Sequence, residues 1–415
     1  MRKMKDSGIE WIGEIPEGWE ITRLKYLADF EPTCDTSYLT DESKITYTPM
    51  ECVKNGGFEN RSALYGNLSH TLTPFQNGDI AMAKVTPCFE NGNIAIMDNL
   101  FSGFGLGSSE LFIFRPKSIS TRYFFYWLQN KAFVARACST MTGTGGLKRI
   151  SPSFIRNCPV HCPSADEQTK ISDYLDAKCS EIDDLLTSVH SSIEEYKKLK
   201  QTVITQAVTK GVRGEREMKD SGVEWIGMVP KEWTLLPFRR VLKERNEKNT
   251  PIKSTERLSL SIELGVTLYS EKTTNLDRFK DDFEQYKLAY KGDLVMNSMN
   301  MIVGATGVSE YFGCVSPVYY TFYDDSLEHV TAKYCEYIFR SKTMLRVLYS
   351  LGKGIYAIVR GDDRVNTCRL KVSKDDLKSL IVPVPSLNEQ REIVHYLNAK
   401  CAEIDGLIAK KEQLV

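Results

Sequence analysis

The chain has 415 residues, too many for one hydrophobic core and enough for two domains and a connector. Lysine plus arginine and aspartate plus glutamate both number 54, which excludes a uniformly cationic binder; any polyanion must be held by local patches. Eleven cysteines, an odd number mostly inside predicted elements, and a charged N-terminus without a signal or membrane-length segment predict a cytoplasmic protein.

Residues 1–19 carry Trp11, Pro16 and Trp19 and form a first segment predicted to pack across a domain edge; stacking on nucleobases is the weaker reading. Residues 20–162 form a globular unit. Its strand candidates are Lys44–Met50, Asp79–Val85, Asn93–Met97 and Leu111–Phe114, separated by Asn-Gly turns, and one helix is predicted over Thr121–Cys138. After Glu110 no acid appears until Asp166, while Arg115, Lys117, Arg122, Lys131, Arg136, Lys148, Arg149 and Arg156 do. Such a face attracts a phosphate backbone. Within it lies the loop Met141-Thr-Gly-Thr-Gly-Gly-Leu-Lys-Arg149, whose glycines allow close approach. The candidate DNA contacts of this unit are Lys84, Thr86, Asn91, Asn93, Thr142, Thr144, Lys148 and Arg149. Arg149 suits a guanine edge and Lys148 a phosphate. Cys158, His161 and Cys162 are one short cluster with no second pair, read as structural rather than zinc-binding.

Residues 163–211 are predicted to form one long helix. Pro163-Ser-Ala-Asp-Glu-Gln168 opens it with a capping box, in which Glu167 reaches back to the cap, and Gly211 can end it. Apolar residues at Ile171, Leu175, Cys179, Ile182, Leu186, Val189, Ile193, Tyr196, Leu199, Val203 and Ala207 alternate steps of three and four, the seam of a coiled coil. From Glu167 to Lys210, at about 1.5 Å per residue, the rod would be roughly 66 Å long.

The partner for that seam is in the same chain. Residues 163–186 return at 385–408 with fourteen of 24 positions identical, and the segment Lys5–Trp19 returns as Lys219–Trp233. The repeat divides the remainder into 212–233, a copy of the N-terminal segment; 234–384, a second globular unit; and 385–415, a second, shorter helix, because Val415 aligns with Ile193. In the second unit Gly292-Asp-Leu-Val-Met296 matches Gly78-Asp-Ile-Ala-Met82, a helix is predicted over Thr331–Ser350, and a glycine loop again enters a basic stretch, Leu351–Arg360. Its candidate contacts are Asn297, Ser298, Asn300, Lys353, Tyr356, Arg360 and Arg364, with Asp362 and Asp363 able to engage Arg360. The candidate coil and partner-facing residues are Ile182, Leu186, Val189, Ile193, Tyr196, Leu199, Ile404 and Leu407. No methyl-transfer tetrad, phosphate loop, His-Glu-x-x-His or Gly-x-Ser-x-Gly is present, so the chain reads as non-catalytic.

The doubled Pro-x-x-x-Glu-Gln at Pro163…Gln168 and Pro385…Gln390, the paired Gly-Asp strands, the run Val315–Tyr320 and the Gly-Thr-Gly loop resemble the specificity subunits of type I restriction–modification systems. The resemblance covers essentially the whole chain. It implies an α+β fold with two similar target-recognition domains separated by two long antiparallel coiled-coil helices, in a circular pseudo-two-fold repeat, the Trp11 segment docking near the C-terminal helix. It also implies double-stranded DNA as ligand, read as an asymmetric bipartite target. The implied partners are two methyltransferase subunits, which hold S-adenosylmethionine, and nuclease-translocase subunits for restriction; no cofactor is implied in this chain and no membrane. The rival readings are a structural coiled-coil adaptor and a stand-alone DNA-binding protein without modification partners.

Overall fold

The computed structural model describes residues 2–69, 71–143, 146–272, 282–325, 329–355 and 369–414. The chain divides into two units, Met1–Asp184 and Leu185–Val415, built on the same antiparallel sheet. In the first unit β1 (Ala28–Phe30), β2 (Asp79–Ala83), β3 (Ile94–Met97) and β4 (Leu111–Pro116) lie in the order β3-β2-β4-β1. In the second, β5 (Lys243–Arg245), β6 (Leu294–Asn297), β7 (Thr306–Val308) and β8 (Tyr319–Tyr323) repeat it as β7-β6-β8-β5. The central strand β2 is wholly apolar after Asp79 because both of its faces are covered. Ile80 and Met82 pack with Phe124, Trp127 and Phe133, while Ala81 packs with Val53, Phe75 and Ile113.

The aspartate that opens each central strand is buried and paired with an arginine. Asp79 takes Nε and Nη2 of Arg115, both at 2.8 Å, and Asp293 takes the same two nitrogens of Arg245 at 2.6 and 3.2 Å. The arginines come from different strands, β4 in the first unit and β5 in the second. One charge pair has therefore been kept while its donor moved. Arg245 is also held between the rings of Tyr290 and Tyr323, at 4.4 and 4.3 Å. Burial pushes the Asp293 carboxyl above its ordinary range despite that guanidinium.

Several predicted elements come out differently. The helix expected over Thr121–Cys138 is two helices, Thr121–Leu128 and Lys131–Ser139, because Asn130 turns its side chain onto the Ala132 amide and caps the second. Ser341 divides Val330–Arg340 from Lys342–Leu351 in the same way. A second sheet of the first unit, Arg61–Leu64, Lys44–Thr48, Phe104–Gly107 and Thr73–Gln76, was signalled only by its Lys44 strand. Glycines hide the Phe104 strand. A Cβ at Gly105 would lie 2.2 Å from the Phe75 ring, so the cross-strand neighbour supplies the bulk.

Each unit fastens its Trp segment to the start of its own long helix with the same three side chains. Arg2 pairs with Glu167 and lies over Trp19 at 5.9 Å. In the second unit Arg216 is 2.6 Å from Glu389 and over Trp233 at 5.4 Å, while Trp233 Nε1 donates to Glu389 at 3.1 Å. Glu167 thus serves Arg2 while also reaching back to the cap, as the capping box predicts: Ser164 Oγ donates to its carboxylate at 3.4 Å and accepts from the Glu167 amide at 3.4 Å. The glutamine that follows bonds the carbonyl of the opening proline, Gln168 to Pro163 and Gln390 to Pro385, both at 3.0 Å. Those contacts explain the repeated Pro-x-x-x-Glu-Gln. The tryptophans are packing residues: Trp19 stacks on His161 at 5.4 Å and Trp233 is buried. Cys158 lies in the first core, where burial pushes its thiol up to about 12.

The first long helix spans Ala165–Lys210 and the second Leu387–Glu412. In the second unit they run antiparallel: Lys411 lies over Tyr196, Lys200 bonds Asp405 at 2.6 Å, and Arg213 bonds Glu392 at 2.7 Å. The seam packs Ile204, Ala207 and Val208 with Ile393, Leu397 and Cys401, and Ile193 and Ile404 are buried as well. Leu199, predicted to lie in it, is 47% exposed, and Leu407 sits at its edge at 36%. A strict 3.5 repeat drifts by about 20° per heptad on a straight helix. Over the roughly five heptads from Ile171 that is one residue's width, which moves the buried position from Val203 to Ile204. Among the described residues no helix is long and apolar enough to cross a membrane.

Candidate nucleic-acid interface

The candidates of the first unit, some 60 residues apart in sequence, converge on one patch. Backbone bonds carry the glycine loop onto the end of β2. Ile150 donates to the Lys84 carbonyl at 3.0 Å, Thr86 donates to the Lys148 carbonyl at 3.0 Å, and Lys84 donates to the Glu110 carbonyl at 3.0 Å. Thr142 and Arg149 exchange both backbone bonds, at 3.1 and 2.9 Å. Asn93 lies alongside, its carbonyl accepting from Ala83 at 2.9 Å, and Asn91 stands exposed on the same turn. Next to these two asparagines is an open cavity of about 460 Å³, floored by Phe89 and Leu128 and walled by Gln129 and Lys131.

The roles inside the patch differ. Thr86 is 8% exposed and is a stitch: its hydroxyl donates to the Gly146 carbonyl at 2.9 Å and accepts from the Lys148 amide at 3.0 Å. Gly143 serves the loop itself, since a Cβ there would stand 2.2 Å from the Leu147 carbonyl oxygen. Lys84 lies over the Phe112 ring at 5.4 Å. Lys148 is exposed and has no ion pair among the described residues. Arg149 is committed to Glu110, with Nε at 2.9 Å and Nη2 at 2.7 Å from its two oxygens. Thr144 lies outside the described residues.

The basic run is thinner in space than in sequence. Arg115 pairs with Asp79, Lys117 with Asp29, Arg122 with Asp173 and Asp176, and Arg149 with Glu110. Lys131, Arg136, Lys148 and Arg156 are left exposed without an ion pair among the described residues, Arg156 lying over Phe30 at 5.0 Å. The carboxylates come from segments remote in sequence, which a local charge count misses.

In the second unit Asn297 and Ser298 are buried, which corrects their assignment to the surface. Asn297 instead closes the next turn, its side chain accepting from the Met299 amide at 3.0 Å. Asn300 is exposed, and Lys353 is exposed with its ammonium 3.3 Å from Asp376. Tyr356, Arg360 and Arg364, together with Asp362 and Asp363, lie outside the described residues.

Residues 16–195 match the family of type I restriction modification DNA specificity domains. That match spans 180 of the 415 residues, so the similarity to type I specificity subunits is carried by the first part of the chain. Its relatives include the specificity subunits of the type I restriction enzymes EcoAI and EcoEI from Escherichia coli. They are 34% and 32% identical over 196 residues, which is 46% of this chain and 33% of each relative. The chain thus matches about a third of the length of those two. The putative MjaX specificity subunit of Methanocaldococcus jannaschii is 21% identical over 431 residues, 97% of this chain and 90% of that one. In fold, the chain is similar to the HsdS subunit from Thermoanaerobacter tengcongensis, with a TM-score of 0.53 and 16% identity over 96% of this chain and 95% of that one. A chain from a structure concerned with assembly and conformational transition of the type I system aligns with a TM-score of 0.66 and 16% identity, over 96% of this chain and 94% of that one.

Proposed function

We propose that the chain is a non-catalytic DNA-reading subunit. Its two units each read one half of an asymmetric bipartite site, and its helices hold methyltransferase subunits, with nuclease-translocase subunits joining for restriction. S-adenosylmethionine belongs to the methyltransferase partner in this reading. The observation that carries it is the convergence on one patch at the end of a rigid strand of the half-buried Lys84 and Asn93 and the exposed Asn91, Thr142, Lys148 and Arg149. A planar fork beside a free ammonium and two amides supplies guanine, phosphate and adenine donors within one surface. The unlike contents of the two units support an asymmetric target.

Lys148→Ala is expected to weaken binding to all duplexes alike and to lower the salt slope by about one. Titrations of the full chain across a salt series, on a random duplex pool and on a duplex selected from it, measure both. Unchanged affinity and slope would remove this patch from the DNA. Among the rival readings, an adaptor would show no salt-dependent DNA binding at all.

A further inference from the structure

Arg149 meets Glu110 through Nε and Nη2, each aimed at a different carboxylate oxygen. The same two-donor edge serves arginine on a guanine or on a pair of phosphate oxygens. Glu110 is fixed for this by its backbone, its carbonyl accepting from Lys84 at 3.0 Å and its amide donating to Ser108 Oγ at 3.2 Å. Its neighbour Lys148 is left free for phosphate.

We propose that Glu110 competes with DNA for Arg149, so that the arginine is released only to a ligand offering two acceptors in the carboxylate's geometry. This rests on the DNA-reading function above and adds to it a device that suppresses binding to random sequence. A single phosphate oxygen replaces only one of the two bonds, and a phosphate replaces both only where it turns two oxygens to the guanidinium. A guanine edge replaces both. The pair is partly exposed, so its strength is in the range where DNA can break it.

The test is Glu110→Gln in the full chain, which keeps the shape and removes the charge. Binding to a random duplex pool should tighten about two- to fivefold, and the salt slope should rise by about one. Binding to the selected duplex should change less, so the specificity ratio falls. Adding Arg149→Ala should abolish the gain. The inference is overturned if Glu110→Gln leaves random-sequence binding unchanged or weakens it, or if the gain persists without Arg149. Loss of the DNA-reading function itself shows separately, as an unchanged affinity and slope for Lys148→Ala.

Discussion

Replacing Arg245 by Ala is expected to destabilise the second unit by about 3–5 kcal/mol, the usual cost of stranding one member of a buried ion pair. Asp293 is 1% exposed, and Arg245 supplies both bonds that neutralise it. The loss should depend on pH in a defined direction. Burial already raises the Asp293 carboxyl, and removing the guanidinium raises it further. For a carboxyl raised in the folded state, the stabilising contribution is present below its unfolded value and lost as pH rises through its folded value. The variant should therefore be least impaired in acid and most impaired near neutrality. Adding Asp293→Asn should recover part of the loss and flatten the pH dependence. Denaturant unfolding followed through the second unit's tryptophans, Trp225 and Trp233, measures it. A loss below about 1 kcal/mol at neutral pH would mean that the strands, not the pair, hold this corner.

The double variant Ile182→Asp, Leu185→Asp is expected to abolish co-purification with partner methyltransferase subunits while leaving the fold intact. The first helix repeats the second at Ile171, Leu175, Cys179 and Ile182, which correspond to Ile393, Leu397, Cys401 and Ile404. The second set is buried throughout, at 7% exposure or less. In the first, Ile171 and Leu175 are half-buried and Cys179 is exposed, while Ile182 and Leu185 stand 54% and 66% exposed. Leu186 and Val189, half-buried, continue this stripe toward Ile193, which is covered at 6%. A row of apolar side chains left to water is the mark of a docking surface. Because Ile182 and Leu185 are already exposed, aspartate there removes no core contact. Affinity capture from cells expressing both proteins, with circular dichroism as the fold control, gives the answer. Full recovery of the methyltransferase would place its contact elsewhere.

The architecture was legible because it is written twice. The matched segments at 5–19 and 219–233, and at 163–186 and 385–408, set the two units and both helices without any contact information. The roles inside the joints were only half legible: Glu167 does cap its helix with Ser164, but its second partner, Arg2, comes from a segment remote in sequence. Local caps likewise overrode helical periodicity at Asn130 and Ser341. At the candidate interface the sequence pointed to the loop and to the end of β2. It could not show that Glu110, the last acid before the basic run, folds back onto Arg149. Nor could it separate the exposed Asn300 from the buried Asn297, because both lie in one polar run and only the turn closed by Asn297 distinguishes them.

The central claim is that the two units read DNA independently. Residues 20–162 can be exchanged for the corresponding unit of a relative, and the chimera co-expressed with the proposed methyltransferase partner. Sequencing of methylated adenines across the genome then gives the modified site. The expected result is a new first half-site joined to an unchanged second half. A site altered in both halves, or in neither, would contradict it.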